Sequence, residues 1–125
     1  MSSSVKTILF TDVQGFAQRT SGSSRDELMN FLASHDALLL PAVQKLDGEV
    51  VKTIGDALMV SFNSPTNAVL CGMLMQAQLR EYNANHSDEP LQVRIAINSG
   101  EVEQRNNDLF GEAVTIAARI VDQTK

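Results

Sequence analysis

The chain has 125 residues, of which 43% are hydrophobic and 20% are charged, and its formal net charge is −5. This length and composition indicate one soluble globular domain with its own core, while the negative charge argues against nucleic acid as a partner. Cys71 is the only cysteine, which excludes an intrachain disulfide and a thiol-rich metal site. Neither a signal peptide nor an apolar run long enough to span a bilayer is visible, so we expect a cytoplasmic domain without membrane insertion.

The first part of the chain predicts a strand followed by helices. The apolar and β-branched run at 5–11 predicts a buried strand, and residues 14–20 predict one or two helical turns. Ser24 and Glu27 have the spacing of a capping box, and apolar residues at helical spacing follow them. Pro41 lies inside this pattern, where we expect it to kink or restart the helix.

The middle of the chain predicts a hairpin and a long helix. Residues 50–54 and 57–62 are typical of two strands around the tight turn Gly55-Asp56. Ser64 and Pro65 have the pattern of an N-cap followed by proline at the first helical position. The helix that begins there is predicted to run to about Tyr82.

The last predicted elements are a strand, a loop and a helix. A strand is expected at 91–98, a segment at 100–104 either continues or reverses it, and a helix closes the chain at 111–121. The element order predicts an α+β fold, a ferredoxin-like sandwich with helices on one face of a mostly antiparallel sheet. Met59, Met73, Met75 and His35 are predicted to lie in the core.

Two aspartates stand where carboxylates could serve a metal ion. Asp12 ends the first strand, directly before a glycine-containing turn, and Asp56 lies in the hairpin turn. Such an arrangement can hold Mg²⁺ beside phosphate, although a helix cap and simple turn chemistry would explain the two residues separately. If the first strand lies beside the hairpin, both carboxylates converge at one sheet edge, which is the minimum for two-metal phosphoryl transfer.

Four further charged residues have ordinary explanations when each is taken alone. Lys52 in the hairpin and Arg94 in the later strand are typical of solvated surface positions. Asp108 stands on the approach to the last helix. Arg119 lies on that helix beside two alanines, where small neighbours would let another surface come close.

In combination, four segments resemble the catalytic domain of class III adenylate and guanylate cyclases. The segments FTDVQGF (10–16) and GEVVKTIGDA (48–57) resemble the two metal-site motifs of that family. VRIAINSGEV (93–102) resembles its strand that runs into a Gly-Glu turn, and DLFGEAVTIAAR (108–119) resembles its transition-state helix. The likeness covers nearly the whole chain, which is therefore expected to be one cyclase domain over 1–125.

The resemblance implies a metal and phosphate site. Asp12 and Asp56, with the Val13 carbonyl, would bind two Mg²⁺ or Mn²⁺ ions in each active site. In the turn that follows, backbone N–H groups would face the β- and γ-phosphates, and these groups belong to Gln14, Gly15, Phe16 and Ala17.

The resemblance also implies the substrate and the reaction. Lys52 and Asp108 match the pair that reads adenine, so ATP is the predicted substrate and 3′,5′-cyclic AMP the product. Arg119 matches the arginine that stabilises charge on the α-phosphate in the transition state, and Arg94 is a phosphate contact. Thr115 replaces the asparagine that usually orients the ribose, and a threonine hydroxyl has a shorter reach.

A homodimer with both active sites at the subunit interface is implied as well. In this family one subunit supplies the metal-binding aspartates and the other supplies the base-reading pair and the helix residues. The family continues with further strands after the helix that carries Arg119, so we expect these 125 residues to be C-terminally truncated. The second interpretation is a non-catalytic cyclase-homology module that binds nucleotide or a partner and acts in regulation.

Overall fold

The computed structural model describes residues 2–123 and, within them, every side chain except those of Ser2 and Arg19. The predicted domain extent of 1–125 therefore reaches beyond the described residues at both ends. The elements in chain order are β1 (Ser2–Val13), α1 (Phe16–Thr20), α2 (Arg25–Lys45), β2 (Glu49–Ile54), β3 (Ala57–Phe62), α3 (Pro65–Asn85), β4 (Val93–Arg105), β5 (Asp108–Phe110) and α4 (Glu112–Gln123).

The strands form one five-stranded sheet in the order β2-β3-β1-β4-β5, and every neighbouring pair is antiparallel. β1 lies at the centre because it is apolar on both faces. Leu9 and Val13 belong to one core cluster, whereas Ile8 and Phe10 belong to a second cluster on the opposite face. The predicted α+β class and antiparallel sheet are confirmed.

The helices cover both faces of this sheet. α2 and α3 pack on the face of Leu9 through large side chains that include Leu39, Val43, Met75 and Leu79. α4 packs on the opposite face through the smaller Ala113, Ala117 and Val121. The prediction that the helices lie on one face is therefore correct for α2 and α3 and wrong for α4. The physical reason is that a central strand apolar on both sides must be covered on both sides.

Local sequence signals define the ends of the long helices. Ser24 Oγ accepts a hydrogen bond from the Glu27 N–H at 3.1 Å, and Glu27 accepts one from the Ser24 N–H, so the predicted capping box is confirmed. Ser64 caps α3 with Pro65 in its first turn, also as predicted. α2 continues through Pro41, so the helix does not restart there. None of the helices described between residues 2 and 123 is long and apolar enough to cross a membrane.

Two predictions in the second half of the chain are resolved by packing. β4 is one continuous strand, so the segment at 100–104 continues it, and the short β5 is an element that the sequence did not predict. Met59, Met75 and His35 are buried as expected, but Met73 is 62% exposed. Met73 lies two positions before Met75, which places it on the other side of α3.

Gly48 allows the connection between α2 and β2 to lie against the core. A Cβ at this position would stand 2.7 Å from a ring carbon of Phe62 and 2.9 Å from a methyl carbon of Val60. We expect Gly48→Ala to lower the free energy of unfolding by about 1–3 kcal/mol, the usual cost of overpacking a core, measured by urea denaturation. Combining it with Phe62→Leu should cost less than the sum of the single losses, and additive losses would contradict the clash.

Candidate active site

The sheet brings the two predicted carboxylates together. Thr11 of β1 pairs with Leu58 of β3, so the end of β1 lies beside the Gly55-Asp56 turn that joins β2 and β3. The Val13 N–H donates a hydrogen bond to Asp56 Oδ2 at 2.8 Å. The convergence of Asp12 and Asp56, which the spacing left open, is therefore observed.

The Asp12 carboxylate carries unfavourable charge in this position. Burial, followed by the neighbouring Asp56 carboxylate, raises the pKa of Asp12, and the Arg94 guanidinium opposes this shift without cancelling it. Arg94 lies directly opposite Asp12 in the β1–β4 register and forms an ion pair with it. The two carboxylates are close together, and one of them is partly desolvated. A divalent cation bound between them would reduce their mutual repulsion.

The turn between β1 and α1 forms one wall of a cavity beside these carboxylates. Gly15 has a φ of 71°, a left-handed conformation that glycine adopts without strain, and it lets the chain turn directly into α1. The family resemblance implied that the Gln14 N–H faces phosphate. In the structure this N–H donates to the Gln92 carbonyl at 2.8 Å and is therefore not available to a phosphate. The cavity has a volume of about 600 Å³ and is lined by Asp12, Val13, Gln14, Gly15, Phe16, Ala17, Gln18, Asp56 and Arg94.

The donor set of this cavity fits Mg²⁺ or Mn²⁺. Both aspartates and the Val13 carbonyl provide oxygen ligands, which are the ligands that Mg²⁺ prefers. Within residues 2–123 no cluster of three or more His, Cys, Asp or Glu side chains could hold a metal ion. A bound Mg²⁺ would therefore complete its coordination with water and phosphate oxygens, as it does in many phosphoryl-transfer sites.

Lys52 and Asp108 form a second polar site. The Lys52 ammonium donates a hydrogen bond to Asp108 Oδ2 at 2.8 Å, and the side chains are 40% and 24% exposed. The two residues lie on β2 and β5, the opposite edge strands of the sheet, which approach each other as the sheet curls. The hydrogen bond from Lys52 lowers the pKa of Asp108, so the Asp108 carboxyl is charged at neutral pH.

α4 presents Thr115 and Arg119 on its outer side. The residues are exposed and lie four positions apart, which places them on one face of the helix. The Thr115 hydroxyl donates to the Gly111 carbonyl of its own helix at 3.3 Å. Asn98, which the sequence analysis did not single out, donates its side-chain amide to the Ala113 carbonyl at 3.1 Å and ties α4 to β4.

The predicted site residues therefore form separate groups in one chain. The cavity beside Asp12 and Asp56 has neither the Lys52–Asp108 pair nor the α4 residues in its lining. The sequence missed the Arg94–Asp12 contact, because cross-strand neighbours cannot be identified without the register of β1 and β4. Gln92 was also missed, because it accepts the Gln14 N–H through its backbone carbonyl, a group that every residue type carries.

Comparison with known proteins places this arrangement in a family. The family model for the "Adenylate and Guanylate cyclase catalytic domain" matches residues 2–125. The Myxococcus xanthus protein "Serine/threonine-protein kinase pkn2" is 41% identical over 111 residues, covering 88% of this chain and 13% of that protein. An adenylate cyclase of Anabaena cylindrica is 29% identical over 136 residues, covering 95% of this chain and 27% of that protein.

A solved structure agrees with these sequence matches. The crystal structure of an adenylate/guanylate cyclase/hydrolase from Silicibacter pomeroyi superposes with a TM-score of 0.87 at 27% identity, covering 99% of this chain and 73% of that chain. The fold is that of a class III nucleotide cyclase domain, and the chain belongs to the adenylate and guanylate cyclase catalytic domain family. It spans only a small part of the curated relatives named above.

Proposed function

We propose that this domain is an adenylate cyclase that converts ATP to 3′,5′-cyclic AMP and pyrophosphate. The observation that carries the proposal is the convergence of Asp12 and Asp56 beside a glycine turn. Burial and mutual repulsion raise the pKa of Asp12, so this pair is arranged to receive positive charge.

Asp12, Asp56 and the Val13 carbonyl would hold two Mg²⁺ or Mn²⁺ ions. When bound, these ions lower the pKa of the ribose 3′-hydroxyl and neutralise charge on the phosphates. The carboxylates fix the position of the metal site relative to β1 and the hairpin turn. The 3′-oxygen attacks the α-phosphorus in line with the departing pyrophosphate, so the chain's main task is to position the reacting groups.

The turn after β1 would bind the β- and γ-phosphates. Gly15, Phe16 and Ala17 lie at the start of α1, where backbone N–H groups have no partner within the helix. Arg94 lines the same cavity and supplies a guanidinium, whose planar donor array suits phosphate oxygens.

Lys52 and Asp108 would select adenine over guanine. The lysine donates to a ring nitrogen, and the aspartate accepts from the exocyclic amine. Guanine carries a carbonyl oxygen in place of that amine, so the Asp108 carboxylate would face another acceptor. Because Lys52 holds Asp108 in its charged form, this repulsion disfavours GTP.

The active site would be completed by a second copy of the chain. One subunit supplies Asp12 and Asp56, and its partner supplies Lys52, Asp108, Thr115 and Arg119, with Arg119 stabilising charge on the α-phosphate in the transition state. The separation of these groups within one chain supports a homodimer with two equivalent interfacial sites. The cytoplasmic location stays a prediction.

A regulatory, non-catalytic cyclase-homology module is the second candidate. Two observations favour it. The Thr115 hydroxyl donates a hydrogen bond to the Gly111 carbonyl of its own helix, whereas the family usually has a ribose-orienting asparagine at this position. The relative with 41% identity is named as a protein kinase, of which the matched region is only 13%.

Thr115→Asn is expected to raise kcat for ATP cyclisation by roughly tenfold, the value of one added hydrogen bond to the ribose. The matched control is Thr115→Val, which removes a hydroxyl that already has an intrahelical partner and should leave kcat nearly unchanged. A marked loss in Thr115→Val would show that the threonine hydroxyl itself contacts the substrate.

Product analysis separates the two candidates. The chain is incubated with ATP or GTP in the presence of Mg²⁺ or Mn²⁺, and nucleotides are separated by chromatography. Cyclic AMP formation in excess over cyclic GMP supports the proposal. Binding of ATP, measured by equilibrium dialysis, without any cyclic product would support the regulatory module instead.

A further inference from the structure

Arg94 forms an ion pair with the carboxylate that is proposed to bind metal. It lies opposite Asp12 in the β1–β4 register, and its guanidinium contacts Asp12 Oδ2. The side chains of Arg94 and Asp12 are only 17% and 21% exposed, so the pair is largely screened from water. A charge-assisted contact in such surroundings is stronger than an ion pair on an open surface.

Arg94 also borders two open spaces. It lines the 600 Å³ cavity beside the β1–α1 turn, and it lines a groove of about 900 Å³ between α3 and β4. The groove has an apolar wall that includes Met73, Ile95 and Ile97. The cavity that Arg94 shares with Asp12 gives the guanidinium room to leave this carboxylate without displacing the core of the domain.

We propose that Arg94 is a built-in counter-ion that pairs with Asp12 in the metal-free protein and is displaced by a divalent cation. This inference rests on the metal site of the proposed function. A guanidinium stays charged at all physiological pH values, so it cannot leave the site by losing a proton. A metal ion must compete with it for Asp12, and Arg94 must then find another anionic partner.

The polyphosphate of the nucleotide is the partner that the geometry offers. Arg94 lines the same cavity as Gly15 and Ala17, whose backbone N–H groups lie at the start of α1. Transfer of Arg94 from Asp12 to phosphate frees a ligand for the metal and adds a cation for the triphosphate. Metal and nucleotide binding are therefore coupled through one side chain, and each favours the other.

Mn²⁺ binding without nucleotide tests this coupling. Binding is measured by isothermal titration calorimetry on the full chain and on Arg94→Gln. Arg94→Gln should bind Mn²⁺ roughly tenfold more tightly, the scale of one partly buried charge-assisted hydrogen bond. Arg80→Gln is the matched control, because Arg80 lines the same groove and its loss changes the net charge equally. Its Mn²⁺ affinity should equal that of the wild type.

The outcomes separate the counter-ion from the metal site itself. If a folded Arg94→Gln chain binds Mn²⁺ as tightly as the wild type or more weakly, the counter-ion role of Arg94 is overturned. The metal site itself still stands in that case if the wild type binds Mn²⁺ and Asp12→Asn does not. Absence of Mn²⁺ binding in wild type and Arg94→Gln alike overturns the metal site and the proposed function together.

A second readout does not depend on the folding of Arg94→Gln. The side-chain Nε–H resonance of Arg94, assigned from its loss in Arg94→Lys, should shift when Mg²⁺ is added. The shift should be absent in Asp12→Asn, which has no carboxylate to release. A resonance that stays in place while Mg²⁺ binds would overturn the proposal even if Arg94→Gln does not fold.

Discussion

Asp56→Asn is expected to remove metal-dependent cyclisation of ATP, with a loss of kcat of roughly a thousandfold or more. The metal ions would supply several kcal/mol of charge stabilisation in the transition state, and each 1.36 kcal/mol corresponds to about a factor of ten in rate. Asparagine is the informative replacement because its side-chain oxygen can still accept the hydrogen bond that the Val13 N–H donates to Asp56. The charge is lost while the turn is held.

Asp47→Asn is the matched control for this variant. Asp47 is exposed after α2 and has a φ of 59°, a left-handed conformation that asparagine tolerates well. It removes the same charge without touching the cavity, so cyclic AMP formation should match the wild type. Melting temperatures measured by circular dichroism should show that both variants fold. Unchanged turnover in Asp56→Asn would contradict the assignment of Asp56 to the metal site.

The local elements could be predicted from the sequence because their signals are short-range. The capping box of Ser24 and Glu27 and the glycine-aspartate turn between β2 and β3 depend on residues a few positions apart. β5 was missed because three residues, Asp108–Phe110, are too few to show a strand period. The continuation of β4 past Gly100 was left open for a similar reason, since glycine marks both bends and strands.

The side of the sheet that each helix covers could not be predicted in the same way. The run at 5–11 is apolar on both faces, and a continuous apolar strand does not show how many layers cover it. α4 contacts β1 and β4 through Ala113 and Ala117, small residues that leave a weak hydrophobic signal. The Gly100 position confirms the close approach, because a Cβ there would lie 2.9 Å from that of Ala113.

The candidate site likewise has features that the sequence could indicate and features that depend on long-range strand pairing. Residue types and spacing indicated Asp12 and Asp56, but their meeting depends on β3 pairing with β1, which is a long-range choice of the sheet. The Lys52–Asp108 contact joins the two edge strands of the curled sheet and could be expected only from the family resemblance. The Arg94–Asp12 pair had no signal in the sequence, because arginine in a strand is usually a surface residue.

Two inactive chains are expected to form an active dimer when one carries Asp12→Ala and the other Arg119→Ala. Arg119 is exposed on α4 and is absent from the lining of the cavity beside Asp12 and Asp56, so one chain does not unite these residues. If the partner supplies Arg119, the mixed dimer has one site with both substitutions and one site with neither. Its turnover should be about half that of the wild-type dimer, because a twofold dimer has two equivalent sites.

Differently tagged chains are co-expressed, the mixed dimer is isolated by two successive affinity steps, and cyclic AMP formation is measured per dimer. The decisive control pairs Asp12→Ala with Asp56→Asn. Both substitutions then fall on the metal side, so each of the two sites contains one of them and the dimer should be inactive. Rescue in the first pairing alone requires that the carboxylates and the α4 arginine come from different subunits. Equal inactivity of both pairings, from chains that do dimerise, would place the complete site within one chain and contradict the shared arrangement.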